Sequence, residues 1–260
     1  MSDPPTLETE LESARGLRVS DLADAIESIG FECTRCGACC KGHTTDDGDR
    51  EPHTATVFPD EVRELQGGSD DVDGEPSGGD GESYDWRDVA RPMPYGITEG
   101  PNGPEGETLE WALQTDACGD CTFYEEADGT GSCTVHDDRP LICATYPFSV
   151  ALGGTTQPMG EVVDSAGPEV PRADGPAADG SVDAEGMVRA HECEGLGRDI
   201  SREDAEAVAA ALKERAVREL EEAIGVRDAY DPTAADRADS DLVVFDSEGP
   251  KRHDGEPVDG

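Results

Sequence analysis

FECTRCGACCKG, residues 31–42, places Cys33, Cys36, Cys39 and Cys40 within eight positions. Two-residue spacing lets a tight turn aim consecutive thiolates at one metal. The glycine after Cys36 lets backbone amides bend towards the sulfurs and offset their charge. Cys39 and Cys40 are adjacent, and neighbouring side chains on most backbones point apart, so they are expected to serve different ions or different edges of a cluster. Four thiolates this close repel one another at neutral pH, which makes a neutralising cation the simplest account of the stretch.

Working outward, a second block, ACGDCTFYEEADGTGSCTVHDDRPLICATYPF (117–148), adds Cys118, Cys121, Cys133 and Cys143, and HECEGLG adds Cys193. Nine cysteines in all is an odd count, which argues against full pairing as disulfides. The N-terminus is acidic and polar, without a basic region, an apolar core or a cleavage site. No run of about 18 apolar residues occurs, so a cytoplasmic protein is expected, where clustered cysteines are more often metal ligands than disulfides.

The 260 residues carry 61 Asp plus Glu against 20 Lys plus Arg, a formal charge of -41. Such a field repels phosphate backbones and anionic lipid, so neither nucleic acid nor a membrane is an expected partner. The carboxylates are spread along the whole chain and 17 of the basic residues are arginine, a balance that reads as halophilic adaptation to high salt. Only 35% of residues are hydrophobic and 5% aromatic, which leaves a small core for this length.

The organisation expected is α+β: a small, irregular, metal-organised domain with a β-hairpin, a long C-terminal helix and disordered acidic insertions. Residues 1–30 form an N-terminal helical segment. Its clearer helix is SDLADAIESIG, with Ser20 as N-cap and Leu22, Ile26 and Ile29 on one face. Residues 31–200 form the cysteine-cluster domain, with low-complexity insertions at 67–83 and 164–186. EPHTATVFPDEVRELQ reads as a short strand and then a helix opening at Pro59 or Asp60. ETLEWALQ alternates as a half-buried strand. CTFYEE and SCTVH flank ADGTG as a hairpin, with Asp-Gly and the second glycine supplying positive φ. Residues 201–225 form a packing helix capped by Ser201 and Asp204, closed by Gly225, with Val208, Leu212, Leu220 and Ile224 as its stripe. An acidic tail, 226–260, follows, in which DLVVF could add an edge strand.

The Cys-x2-Cys-Gly-x-Cys-Cys run, the Cys-bearing hairpin, Arg-Pro-x2-Cys, Tyr-Pro-Phe and the late Cys-x-Gly together resemble the YkgJ-type cysteine-cluster family (CxxCxxCC), a zinc- or iron-chelating domain. The likeness covers about residues 30–200. It implies a metal-ligand set of Cys33, Cys36, Cys39, Cys40, Cys121, Cys133, Cys143 and Cys193, with Arg139, Pro140 and Phe148 in the flanking signature. Cys118 is extra, His136 stands where the family often has an aromatic residue, and Ala144 stands where a basic residue is usual. A related domain occurs in a bacterial flagellin lysine methylase, which suggests iron–sulfur chemistry.

Eight thiolates suit one or two iron–sulfur clusters, or iron alone, with a redox role and a protein partner or electron donor. The alternative is two tetrahedral zinc sites in a structural, interaction or metal-handling module without catalysis. His43, His136 and His191 lie near cysteines as further ligands or as hydrogen-bonding neighbours. No GxGxxG after a strand, Walker loop, HExxH or nucleophile elbow accompanies the cysteines, so no catalytic constellation is expected outside them.

Overall fold

The structure, a computed structural model, describes residues 5–45, 47–67, 84–101, 103–152, 161–170, 185–237 and 242–258. It is α+β. The chain opens with helices α1 (Leu7–Arg15) and α2 (Val19–Ile29), then a 3-10 turn over Ala38–Cys40. Strands β1 (His43–Thr44), β2 (Arg50–Glu51) and β3 (Thr56–Val57) precede helices α3 (Pro59–Gly67) and α4 (Trp86–Val89). Next come β4 (Ala90–Pro92), β5 (Ile97–Gly100), β6 (Gly103–Thr108), β7 (Trp111–Leu113), β8 (Tyr124–Ala127) and β9 (Thr130–Cys133). Helix α5 (Leu141–Thr145) leads into β10 (Phe148–Val150), β11 (Val162–Val170) and β12 (Glu185–His191). The long helix α6 (Arg202–Ala229), α7 (Ala234–Arg237), β13 (Leu242–Asp246) and β14 (Gly249–Lys251) complete the order.

Two compact units divide these elements: unit 1 is Met1–Cys36 with Leu141–Glu221, and unit 2 is Gly37–Pro140 with Glu222–Gly260. Unit 1 is built on an antiparallel sheet ordered β10-β12-β11, with α2 packed against β11 and β12. Leu22, Ala23 and Ile26 of α2, Phe148 of β10 and Val188 and Ala190 of β12 are buried. Helix α6 starts as expected: the Ser201 hydroxyl donates to Asp204 and accepts from its amide. Its buried stripe is Ala205, Ala209, Leu212, Ala216 and Leu220, with Val208 only half-buried. Arg215 lies in that stripe with a 2% exposed side chain. It donates to Thr145 Oγ1 at 3.0 Å and to the Phe148 carbonyl at 3.3 Å, and it pairs with Glu219.

Several expectations are revised. Helix α2 begins at Val19 with Arg18 as N-cap. Ser20 lies inside the first turn, where the Asp21 carboxylate complements the helix N-terminus and takes a hydrogen bond from Arg18. Gly225 does not end α6, which runs on to Ala229. Its missing side chain is instead needed for space, because a Cβ there would stand 2.5 Å from Cβ of Ser247. Of the segment read as a low-complexity insertion, 164–170 and 185–186 belong to β11 and β12, and 171–184 lie outside the described residues. The insertion expected at 67–83 also lies outside them, except Gly67, the last residue of α3.

In unit 2, ETLEWALQ is two strands. The chain breaks at Leu109, which is 51% exposed, and passes from a sheet ordered β14-β13-β6-β5 into one ordered β3-β7-β4. All three residues of β7 are buried because it is the central strand of its sheet. DLVVF is an interior strand rather than an edge. β13 pairs in parallel with β6 and antiparallel with β14, and its four consecutive apolar residues are the pattern of a strand covered on both faces. The stretch 226–260 therefore supplies core: Val226, Ala234, Val243, Phe245 and Val258 form one buried cluster. Beside them the buried Asp246 carboxylate accepts from Trp111 Nε1 at 2.9 Å and Lys251 Nζ at 2.7 Å. No helix among the described residues is long and apolar enough to cross a membrane.

Candidate metal centre

All nine cysteines are present as thiols rather than disulfides. Unit 2 carries Cys39, Cys40, Cys118, Cys121 and Cys133, and unit 1 carries Cys33, Cys36, Cys143 and Cys193.

In unit 2 the Cys39–Cys40 pair rides on the 3-10 turn, which Gly37 opens at φ +76° and which the Cys40 amide closes onto the Gly37 carbonyl at 2.9 Å. A helical turn does not alternate side chains as an extended strand does. The two sulfurs accordingly lie 3.8 Å apart, revising the expectation that they diverge. A tetrahedral ion with metal–sulfur bonds of about 2.3 Å sets its ligand sulfurs about 3.8 Å apart, so one ion can accept both. Gly37 also lies under Tyr124 of β8: a Cβ at position 37 would stand 2.1 Å from the Tyr124 oxygen. The same tyrosine donates to Glu126, which pairs with Lys41, and Lys41 Nζ lies 5.1 Å from the Tyr124 ring centroid. Hairpin and cysteine turn are thereby fastened together on both flanks.

The hairpin holds the next two thiols. Asp128 and Gly129, at φ 52° and 75°, form its two-residue turn. Gly131, expected to share that role, lies within β9 and has no positive φ. Cys121 donates its amide to the Cys40 carbonyl at 2.8 Å. Its sulfur accepts from the backbone of Phe123, and the Cys133 sulfur accepts from that of Val135, in each case two residues on. Cys-Thr-apolar recurs at 121–123 and 133–135, a visible signal of these matched turns. Burial raises the Cys121 thiol to about 11 and raises Cys133 as well, so both resist ionising without a cation. Cys39 is lowered to about 7, chiefly by its hydrogen bond with Cys40 and further by the field of Arg139.

Arg139 donates to His136 Nε2 at 2.7 Å, and His136 Nδ1 faces Asp137 at 3.3 Å. Cys118 is exposed at the outer end of its turn. Its amide donates to Asp116 and its carbonyl accepts from Arg50, whose guanidinium also pairs with Asp120.

In unit 1, Cys33 and Cys36 flank a turn in which Arg35 takes φ 56°. The Glu32 amide donates to the Gly195 carbonyl at 3.0 Å, and the Gly195 amide donates to the Cys193 sulfur at 3.4 Å, repeating the two-residue pattern of unit 2. Cys143 lies in α5, and Tyr146, just beyond that helix, donates its hydroxyl to the Glu192 carbonyl. The segments bearing Cys33, Cys143 and Cys193 are thus stitched together by hydrogen bonds one to three residues from the sulfurs. His191 is buried and its Nε2 meets Ser149 Oγ at 2.8 Å, while in unit 2 His43 faces Glu51.

Among the described residues, no three His, Cys, Asp or Glu side chains are already gathered as a ligand set for an ion. The donor chemistry nevertheless fits zinc or iron: thiols in tight turns, amide donors aimed at sulfur, and one pair at the separation of a tetrahedral edge. Amide donors to sulfur were expected near Cys36, whereas the donors to Cys121, Cys133 and Cys193 lie two residues beyond each sulfur, and the Tyr124 clamp and the 3-10 turn were not foreseen.

A family model described as "CxxCxxCC: Putative zinc- or iron-chelating domain" matches residues 32–194, a span containing all nine cysteines. No curated protein and no solved structure gives a significant match.

Proposed function

Because the chain belongs to the CxxCxxCC family of zinc- or iron-chelating domains, we propose that it holds iron through cysteine thiolates as an iron–sulfur or iron centre with a redox role. The observation that carries the reading is the paired sulfurs of Cys39 and Cys40, with Cys121 and Cys133 on hydrogen-bonded turns of the same unit. Iron held by thiolates supplies one-electron transfer when bound. The chain's own part is to disperse negative charge. Backbone N–H groups donate to the sulfurs of Cys121 and Cys133, and the Arg139 cation favours the thiolate of Cys39. These groups stabilise the more negative, reduced state, and so tune a potential. A partner would be an electron donor or acceptor protein.

Zinc is the second reading, favoured by the 3.8 Å separation of Cys39 and Cys40, which is also the edge of a zinc–tetrathiolate tetrahedron. On that reading the cysteines stabilise an interaction or metal-handling module without catalysis. The deciding experiment measures metal, acid-labile sulfide and the absorption spectrum of protein purified without oxygen. High salt suits the charge of -41, on the halophilic reading of the surface. Iron with visible charge-transfer bands supports the first reading, stoichiometric zinc without colour supports the second, and absence of metal overturns both.

A further inference from the structure

We infer that the chain builds two metal centres, one from Cys33, Cys36, Cys143 and Cys193 in unit 1 and one from Cys39, Cys40, Cys121 and Cys133 in unit 2. The inference rests on the chelating reading above and adds to it the number and membership of the sites. The boundary between the units falls between Cys36 and Gly37, inside the motif that reads as one cluster in sequence. Its first two thiols belong with the α5 and β12 end of unit 1, and its last two with the hairpin of unit 2. A tetrahedral tetrathiolate ion requires four sulfurs, as does a two-iron cluster, and each unit supplies four of the eight matched thiols.

Each set is drawn together by its own unit's backbone. In unit 2 the Cys121 amide bonds to the Cys40 carbonyl, the sulfurs of Cys39 and Cys40 stand 3.8 Å apart, and Cys133 lies opposite Tyr124 in the register of β8 and β9. In unit 1 the bonds from Glu32 to Gly195 and from Tyr146 to Glu192 hold the segments of Cys33 and Cys143 against that of Cys193. Cys36 is three residues from Cys33 across the turn at Arg35, the spacing of a ligand knuckle. Cys118 stays outside both sets. It is the one cysteine that the eight matched thiols do not include.

The test counts metal per full-length chain, purified without oxygen, in four proteins: the natural sequence, Cys33→Ser/Cys193→Ser, Cys40→Ser/Cys133→Ser, and the combination of both pairs. Each double variant should keep half of the natural chain's metal, and the variant combining all four substitutions should keep none. Loss of all metal from either double variant whose circular dichroism remains that of a folded chain overturns the assignment. Should a variant fail to fold, cadmium-113 resonance on the natural chain decides: all-sulfur signals from two sites support two centres, and a single site overturns them. A natural chain that takes up no metal overturns the chelating reading itself, whereas a chain with one centre overturns only the division proposed here.

Discussion

Strand β13 buries all five of its residues, whereas the hairpin of β8 and β9, which carries Cys133, buries only Gly131 of its eight. Both belong to unit 2. The sheet around β13 is held by Val243, Val244 and Phe245, all fully buried, and by the Asp246 carboxylate shared between Trp111 and Lys251. The cysteine turns have less apolar filling, chiefly Phe123, which is buried beside Cys121 and stands edge-on to Tyr84. They are held by backbone hydrogen bonds, by Tyr124 over Gly37 and by an ion pair at the surface. A core that excludes water sustains itself, while a region stitched at its rim needs another source of stability, which on the reading above is a metal worth about 10 kcal/mol.

Removing the metal with a chelator gives the largest contrast. Amides of Cys121, Tyr124 and Thr134 should exchange at least about 100-fold faster, with those of β13 changed by no more than about 3-fold. Hydrogen exchange followed by mass spectrometry separates the two regions, and equal acceleration in β13 would erase the distinction. Next in size, Lys251→Met leaves the buried Asp246 carboxylate without its cation and should cost about 3–5 kcal/mol in a urea titration of the metal-loaded chain. Lys41→Met, at the more exposed pair with Glu126, should change little by comparison. If the two variants were equally damaging, the sheet would owe no special stability to its interior ion pair.

Gly37→Ala should weaken metal binding by about 10-fold, since a left-handed backbone costs a side chain about 1–2 kcal/mol and the new Cβ must displace Tyr124. Adding Tyr124→Ala should restore the part due to crowding and leave the part due to φ. A competition titration with a metal-sensitive dye reads both, and unaltered affinity in Gly37→Ala would show that the turn is not held in this conformation. The smallest effect concerns His53, whose amide donates to the Gly119 carbonyl at 2.7 Å and whose carbonyl accepts from Arg91, joining the cysteine turn to β4. Burial, aided by the Arg91 charge, lowers His53 from 6.5 to about 4. Between those values the unfolded chain takes a proton that the folded chain refuses, so stability falls as pH drops from about 6.5 towards 4. His53→Gln should flatten that window in pH-dependent thermal melts; an unchanged slope would assign it to other groups.

The parts legible in sequence are those governed by local chemistry. Ser201 with Asp204 announces the start of α6, Asp-Gly announces the hairpin turn at 128–129, and Pro59 opens α3. Parts decided by distant partners were not legible. The apolar run of β13 suggests a strand, but only its pairing with β6 and β14 makes it interior. Gly225 resembles a helix stop, yet the helix continues to Ala229 and the glycine instead leaves room for Ser247. At the candidate site the cysteine spacing was plain. The convergence of Cys39 and Cys40 depends on the conformation of the Ala38–Cys40 turn, and the division of eight thiols between two units depends on which backbone segments hydrogen-bond.

The parallel pairing of β13 with β6 also sets an order of events during synthesis. Gly106 finds its neighbour Leu242 only after more than half of the chain has been made in between. The last cysteine, Cys193, precedes that strand. A nascent chain therefore presents every thiol while one edge of β6 is still open, so metal loading can precede closure of the sheet. An interruption of translation between Cys193 and Leu242 would yield a product rich in sulfur ligands with an unprotected β6 edge, the species most prone to aggregate.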